Sequence, residues 1–102
     1  MTNDEMMLYA KKAVARWCWD NHPELGIATD DVFIVWFSKT LQNWKAICSF
    51  HPKIDGNSVI AEVTYNGDKL EAYVDVYIKE FNGVYTFNYG KVEPKTTLKR
   101  AI

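Results

Sequence analysis

The chain has little of what usually announces chemistry. It holds two histidines and two cysteines in 102 residues, and neither His22 nor His51 has a cysteine or a second histidine at metal-ligand spacing. Its five glycines are isolated turn residues, so no glycine-rich loop is available to cradle a phosphate. Ser38, Ser49 and Ser58 lack the strand-to-helix setting of an activated nucleophile. A net charge of -1 supplies no global field for nucleic acid or an anionic membrane. No apolar run reaches the length of a membrane span. The acidic, polar start MTNDEMM has neither the basic end nor the apolar centre of a secretory signal. These absences predict a cytoplasmic protein with no membrane association, no cofactor, no metal and no recognisable catalytic constellation.

What is present is aromatic. Phe, Trp and Tyr make up 15% of the residues, concentrated in strand-like segments where they give a small domain a large apolar payload. The segment DVFIVWFSKTLQNWKAICSF, Asp31 to Phe50, stands out. It opens with six large apolar residues, Val32 to Phe37, whereas a strand wet on one side alternates apolar and polar. Both faces of such a strand want cover, and the remaining chain has little to offer. That shortage points to a partner, most simply a second copy in a homodimer.

The expected fold is α+β: an N-terminal helix packed on a four- or five-stranded antiparallel meander sheet, in one domain over residues 1–90, followed by a polar basic tail over 91–102. The helix runs from Asn3 to Asn21. Thr2 and Glu5 fit a capping box, and Met6, Ala10, Ala13, Val14 and Trp17 form its buried stripe, widened by Met7 and Cys18. His22-Pro23 ends it. Strands follow at Val32–Lys39 and Trp44–Phe50. With Lys39 opposite Trp44, Phe37 meets Ala46, Val35 meets Cys48, and Phe33 meets Phe50; Trp36 meets Ile47 on the other face. Asn66-Gly67 predicts a two-residue hairpin turn, which sets Val63 against Leu70, Glu62 against Glu71 and Ile60 against Tyr73. A second pair, Asn82-Gly83, is expected to turn the chain into a fifth strand at Val84–Tyr89. Cys18 and Cys48 read as reduced core thiols, with a disulfide between packed elements as the alternative.

Two strings, VWFSKTLQNWKA and EVTYNGDK, carry a resemblance. Together with the MTNDEMMLYAKKAV helix, the chain over residues 1–81 resembles a family of small phage and prophage proteins of unknown function. The resemblance implies origin in a bacterial mobile element and implies no mechanism.

Three functions compete. The first is a phage-encoded binding protein that engages or modulates a bacterial host protein through an aromatic sheet face, with Trp36, Trp44, Tyr73 and Tyr77 as anchors. A sharper form is a defence-nuclease inhibitor using Asp30, Asp31, Glu62, Glu71 and Asp75 as a phosphate mimic, against which the near-neutral charge argues. The second is a small carboxylate-dependent hydrolase built on Glu62 and Glu71, because two adjacent carboxylates split their pKa values. The third is a nucleic-acid-binding accessory protein using the basic tail and the loop from Lys39 to Lys45, which the charge balance disfavours. Lys39, Gln42 and Asn43, at the polar tip between two apolar strands, are further candidates for gripping a partner.

Overall fold

The structure, a computed structural model, describes residues 1–95. Helix α1 spans Asn3–Asn21 and is followed by two 3₁₀ turns, Pro23–Leu25 and Thr29–Asp31. Then come β1 (Phe33–Thr40), β2 (Asn43–Ser49), β3 (Val59–Asn66), β4 (Glu71–Ile78), β5 (Tyr85–Asn88) and β6 (Lys91–Pro94). The first four strands form an antiparallel sheet in the order β1-β2-β3-β4. This is the α+β meander expected, with α1 laid on one face.

The helix begins where its sequence directs. The Thr2 hydroxyl accepts the Glu5 amide N–H, and the Glu5 carboxylate accepts the Thr2 amide N–H, both at 3.1 Å. The reciprocal bonds satisfy amides that the first turn leaves free. At the far end His22 is the C-cap, and Gly26, at φ +61°, supplies the left-handed residue that closes the first 3₁₀ turn.

Packing beneath the helix depends on small side chains. Met6, Ala10, Val14 and Cys18 of α1 meet Ala46, Cys48, Ala61 and Val63 of the middle strands, and Trp44, Val59, Val32, Phe50 and Ile54 close the cluster. Ala10, Ala46 and Ala61 are wholly buried, which lets helix and sheet approach closely. Val14, Val32, Val59 and Val63 are the largest fully buried aliphatics, each worth about 1.5–3 kcal/mol of burial. Ala13 and Trp17, expected in the stripe, are half-buried at its margin.

Three expectations need correction. The first concerns β1. Lys39 faces Trp44, Phe37 faces Ala46 and Trp36 faces Ile47 as expected, but the register then slips at Val35. Ile34 takes the place opposite Cys48, and Phe33 sits opposite Ser49. A bulge puts one extra residue on one strand and reverses the alternation beyond it. Val32 and Ile34 therefore point to the core before the bulge and Phe37 after it. The unbroken apolar run serves one core face from both parities. Phe33, Val35 and Trp36 are left exposed.

The second correction is the β3–β4 register. Val63 pairs with Val74, Glu62 with Asp75 and Ile60 with Tyr77; Glu71 pairs with Asn66. Glu62 and Glu71 are not opposite each other. The turn is longer than two residues because Asn66 uses its side chain, accepting the N–H groups of Asp68 and Lys69 at 3.0 and 3.3 Å. That local bond stabilises a wider turn, which Leu70 closes at φ +54°. Gly67 is needed for a different reason: a Cβ there would lie 2.5 Å from the Gln42 carbonyl oxygen. The displacement is four residues along β4, an even number, so each side chain keeps its expected face.

The third correction concerns the C-terminal strands. Val84–Tyr89 does not extend the main sheet. Tyr85–Asn88 pairs with Lys91–Pro94 as a separate hairpin. Tyr85, Phe87 and Val92 are exposed on it. The remainder of the basic tail, including Lys99 and Arg100, lies outside the described residues.

Candidate functional site

The face of the sheet opposite α1 carries Trp36, Glu62, Tyr73, Asp75 and Tyr77 of the residues that the sequence singles out. Its rows follow from the registers. Phe33, Ser49, Ile60 and Tyr77 lie side by side across the four strands; Trp36, Ile47, Glu62 and Asp75 form the next row, and Ser38, Lys45, Thr64 and Tyr73 the third. Val35 stands at the bulge between the first two rows. Trp36 is 47% exposed, Tyr73 52% and Tyr77 55%. Phe33, Val35 and Ile60 are exposed as well, and Ile47 is half-buried. Four half-exposed aromatic rings at about 150–250 Å² each offer roughly 300–500 Å² of apolar surface. With the three aliphatics, this matches or exceeds the largest patch usual on a monomer.

Charge is confined to the centre and one edge. Lys45 Nζ meets Glu62 Oε1 at 2.8 Å. The bond and the charge of Glu62 hold the Lys45 ammonium above the ordinary lysine range, with smaller help from Tyr77 and Asp75. Asp75 stands across from Glu62 on the edge strand β4, between Tyr73 and Tyr77 on the same face. The result is a neutral aromatic surface with a modest acidic excess toward β4.

The remaining candidates lie elsewhere. Lys39, Gln42 and Asn43 belong to the β1–β2 end of the sheet, where the side chains of Gln42 and Asn43 tie two turns together. The Gln42 amide donates to the Asp68 carboxylate, and Asn43 Oδ1 accepts the Gly67 N–H at 2.9 Å. Trp44 is buried, 4% exposed, between Phe37 at 6.0 Å and a stacked Tyr65 at 5.2 Å. It is a core residue rather than a surface anchor. Lys39 and Lys45 fall on opposite faces, so they make no single basic patch. Nor do the five acids converge. Asp31 accepts the Ala28 N–H within its own turn, Glu62 is paired with Lys45, and Glu71 starts β4 beside the hairpin turn. Among the described residues no group of three or more His, Cys, Asp or Glu is placed to hold a metal.

Residues 7–87 match a family described as one of unknown function, DUF6275. The chain belongs to the DUF6275 family. Neither a curated protein nor a solved structure matches it. The DUF6275 match takes in most of α1, all of β1 to β4 and most of β5. Every outer-face residue named above therefore lies inside the family region, as do both strings that carried the resemblance.

Phe33 and Val35 are the members of this DUF6275 surface that sequence reasoning misplaced, since strict alternation puts them in the core. A bulge inside a continuous apolar run leaves no polar residue to mark the change of phase. Cys18 and Cys48 are free and buried. Burial raises both thiols, pushing Cys48 up to about 11, so both are poor nucleophiles.

Proposed function

We propose that this protein is a small phage- or prophage-encoded binding protein that engages a bacterial host protein through the outer face of its sheet. One observation carries the reading: Phe33, Val35, Trp36, Ile60, Tyr73 and Tyr77 are all exposed on the face that α1 does not cover. Large amphipathic aromatics around a desolvated centre make interface hot spots. The acidic excess at Asp75 suits a partner that brings a lysine or arginine beside the two tyrosines, where ion pairing and ring stacking would act together. A hydrolase built on Glu62 and Glu71 loses its premise, because those carboxylates do not face each other.

The test is affinity capture from bacterial lysate with the intact protein and with a Tyr73→Ala/Tyr77→Ala variant. We expect one dominant host protein, with affinity lowered about 100-fold or more in the variant, as for paired hot-spot residues. Equal capture by both proteins would overturn the assignment of this face. A second copy is the other occupant that so apolar a face fits. Sedimentation at high concentration separates the cases: a dimer that Trp36→Asp dissociates supports self-association, and a monomer removes it.

A further inference from the structure

A separate feature lies on the helix side of the sheet. A cleft of about 540 Å³ opens between α1 and the ends of β3 and β4, lined by Lys12, Trp44, Tyr65, Leu70 and Ala72 among others. A second lobe of about 420 Å³ adjoins it toward the β1–β2 turn and adds Lys39 and Gln42. The lobes share Trp44, Tyr65 and Leu70. The larger lobe alone is within the range of small-molecule sites, about 300–1,000 Å³.

We propose that this cleft binds a planar aromatic acid. The half-buried Tyr65 ring, backed by the buried Trp44 ring 17° from parallel to it, forms a flat aromatic wall on which a further ring can stack. Nε1 of Trp44 is the buried side-chain donor that lacks a hydrogen-bond partner among the described residues. Such a donor is costly to leave unpaired, and a ligand oxygen that reached it would restore the bond. The cations decide the ligand's charge. Lys12 lines one lobe and Lys39 the other. The carboxylate of the larger lobe, Glu5, is engaged by the helix cap through the Thr2 N–H. An aromatic ring against the wall with its carboxylate toward the lysines satisfies all three features. A neutral ring satisfies the wall alone. This site is distinct from the outer face, on the other side of the sheet, and stands or falls independently of the binding role proposed there.

The test is titration of the full-length chain with 2-naphthoate, followed through the indole N–H signals in a ¹H–¹⁵N spectrum. Trp17→Phe, Trp19→Phe and Trp36→Phe identify three of the four indoles, so Trp44 is assigned without being altered. We expect the Trp44 N–H signal to move in a saturable way. Affinity should fall about tenfold or more for the neutral 2-naphthamide and likewise in a Lys12→Glu/Lys39→Glu variant whose spectrum shows an intact fold. An unmoved Trp44 signal at millimolar naphthoate would overturn the proposal. So would equal binding of acid and amide, or shifts confined to Trp36 on the outer face.

Discussion

The two faces of the β1–β4 sheet both carry apolar side chains, and they differ in size. Under α1 the middle strands present Ala46, Cys48, Ala61 and Val63, all buried. On the other side the same four strands present Phe33, Trp36, Ile47, Ile60, Tyr73 and Tyr77, exposed or half-exposed. Small residues suit a face that one helix must seal by close approach, since interiors tolerate no voids. Large rings suit a face that folding leaves open, because tyrosine and tryptophan keep a polar atom in water. Much of the apolar surface that this fold does not use for its own core lies on that outer face, and more is exposed on the C-terminal hairpin at Tyr85, Phe87 and Val92.

The same charge placed on each face should have opposite consequences. Val63→Asp buries a carboxylate under α1, at a cost of several kcal/mol against a usual domain stability of about 5–15 kcal/mol; circular dichroism should show a largely unfolded chain. Ile60→Asp, on the same strand but the outer face, should leave the far-ultraviolet spectrum unchanged. A folded Val63→Asp or an unfolded Ile60→Asp would reverse the assignment of the faces.

The helix that makes the difference can itself be loosened. Thr2→Ala removes the cap hydroxyl, with an expected loss of about 1 kcal/mol, or roughly 4–8 °C in Tm for a domain of this size. The backbone and hydroxyl of Thr2 hold the Glu5 carboxyl below its ordinary range. Its contribution is present above the unfolded pKa and is lost as pH falls through the folded value. The stability curves of the protein and Glu5→Gln should therefore converge in acid; parallel curves down to strongly acidic pH would deny the capping box a role.

The seal over the core face has an alkaline signature. Burial pushes the Cys48 thiol up to about 11 in the folded chain, above its ordinary range. Burial favours the neutral thiol, so no stability is lost below the unfolded pKa, and stability declines as pH rises from about 9 toward 11. At pH 8 an aromatic disulfide reagent should modify Cys48 only in denaturant. Rapid labelling of the native protein would show that α1 does not close the sheet.

The smallest effect belongs to the outer face. Lys45→Met removes the ion pair with Glu62, and exposed pairs matter little to folding. Because the folded Lys45 pKa is raised, any contribution is present below the unfolded lysine value and disappears as pH climbs past the folded one. Melting temperatures of the protein and Lys45→Met should differ little at neutral pH and meet in strong alkali. A large neutral-pH difference would mean that the pair supports the fold and not only the surface.

Much of the fold was legible. The period of Met6, Ala10, Val14 and Cys18, the Thr2–Glu5 box and the His22-Pro23 stop fixed α1 within its observed bounds. The parity of β2 and β3 placed Ile47, Ile60, Glu62 and Lys45 on the outer face, and Tyr73, Asp75 and Tyr77 followed on β4 despite the wrong partners, because a shift of four preserves parity. Three features were not legible. The bulge at Val35 hides in a run with no polar marker, the Asn66-Gly67 turn is widened by the Asn66 side chain bonding the amides of Asp68 and Lys69, and β5 pairs with a strand, Lys91–Pro94, that has no strand-like pattern. Trp44, expected as a surface anchor, is buried because it shares the inward parity of Ala46 and Cys48.

Local sequence set the helix, the strand parities and the excess of large aromatics, because each depends on neighbours a few residues apart. Tertiary structure alone decided which excess stays uncovered. One helix of small-residue packing can seal one face of four strands. Only the assembled sheet, with its bulge and its true register, brings Phe33 and Trp36 of β1 and Tyr73 and Tyr77 of β4 together onto the other.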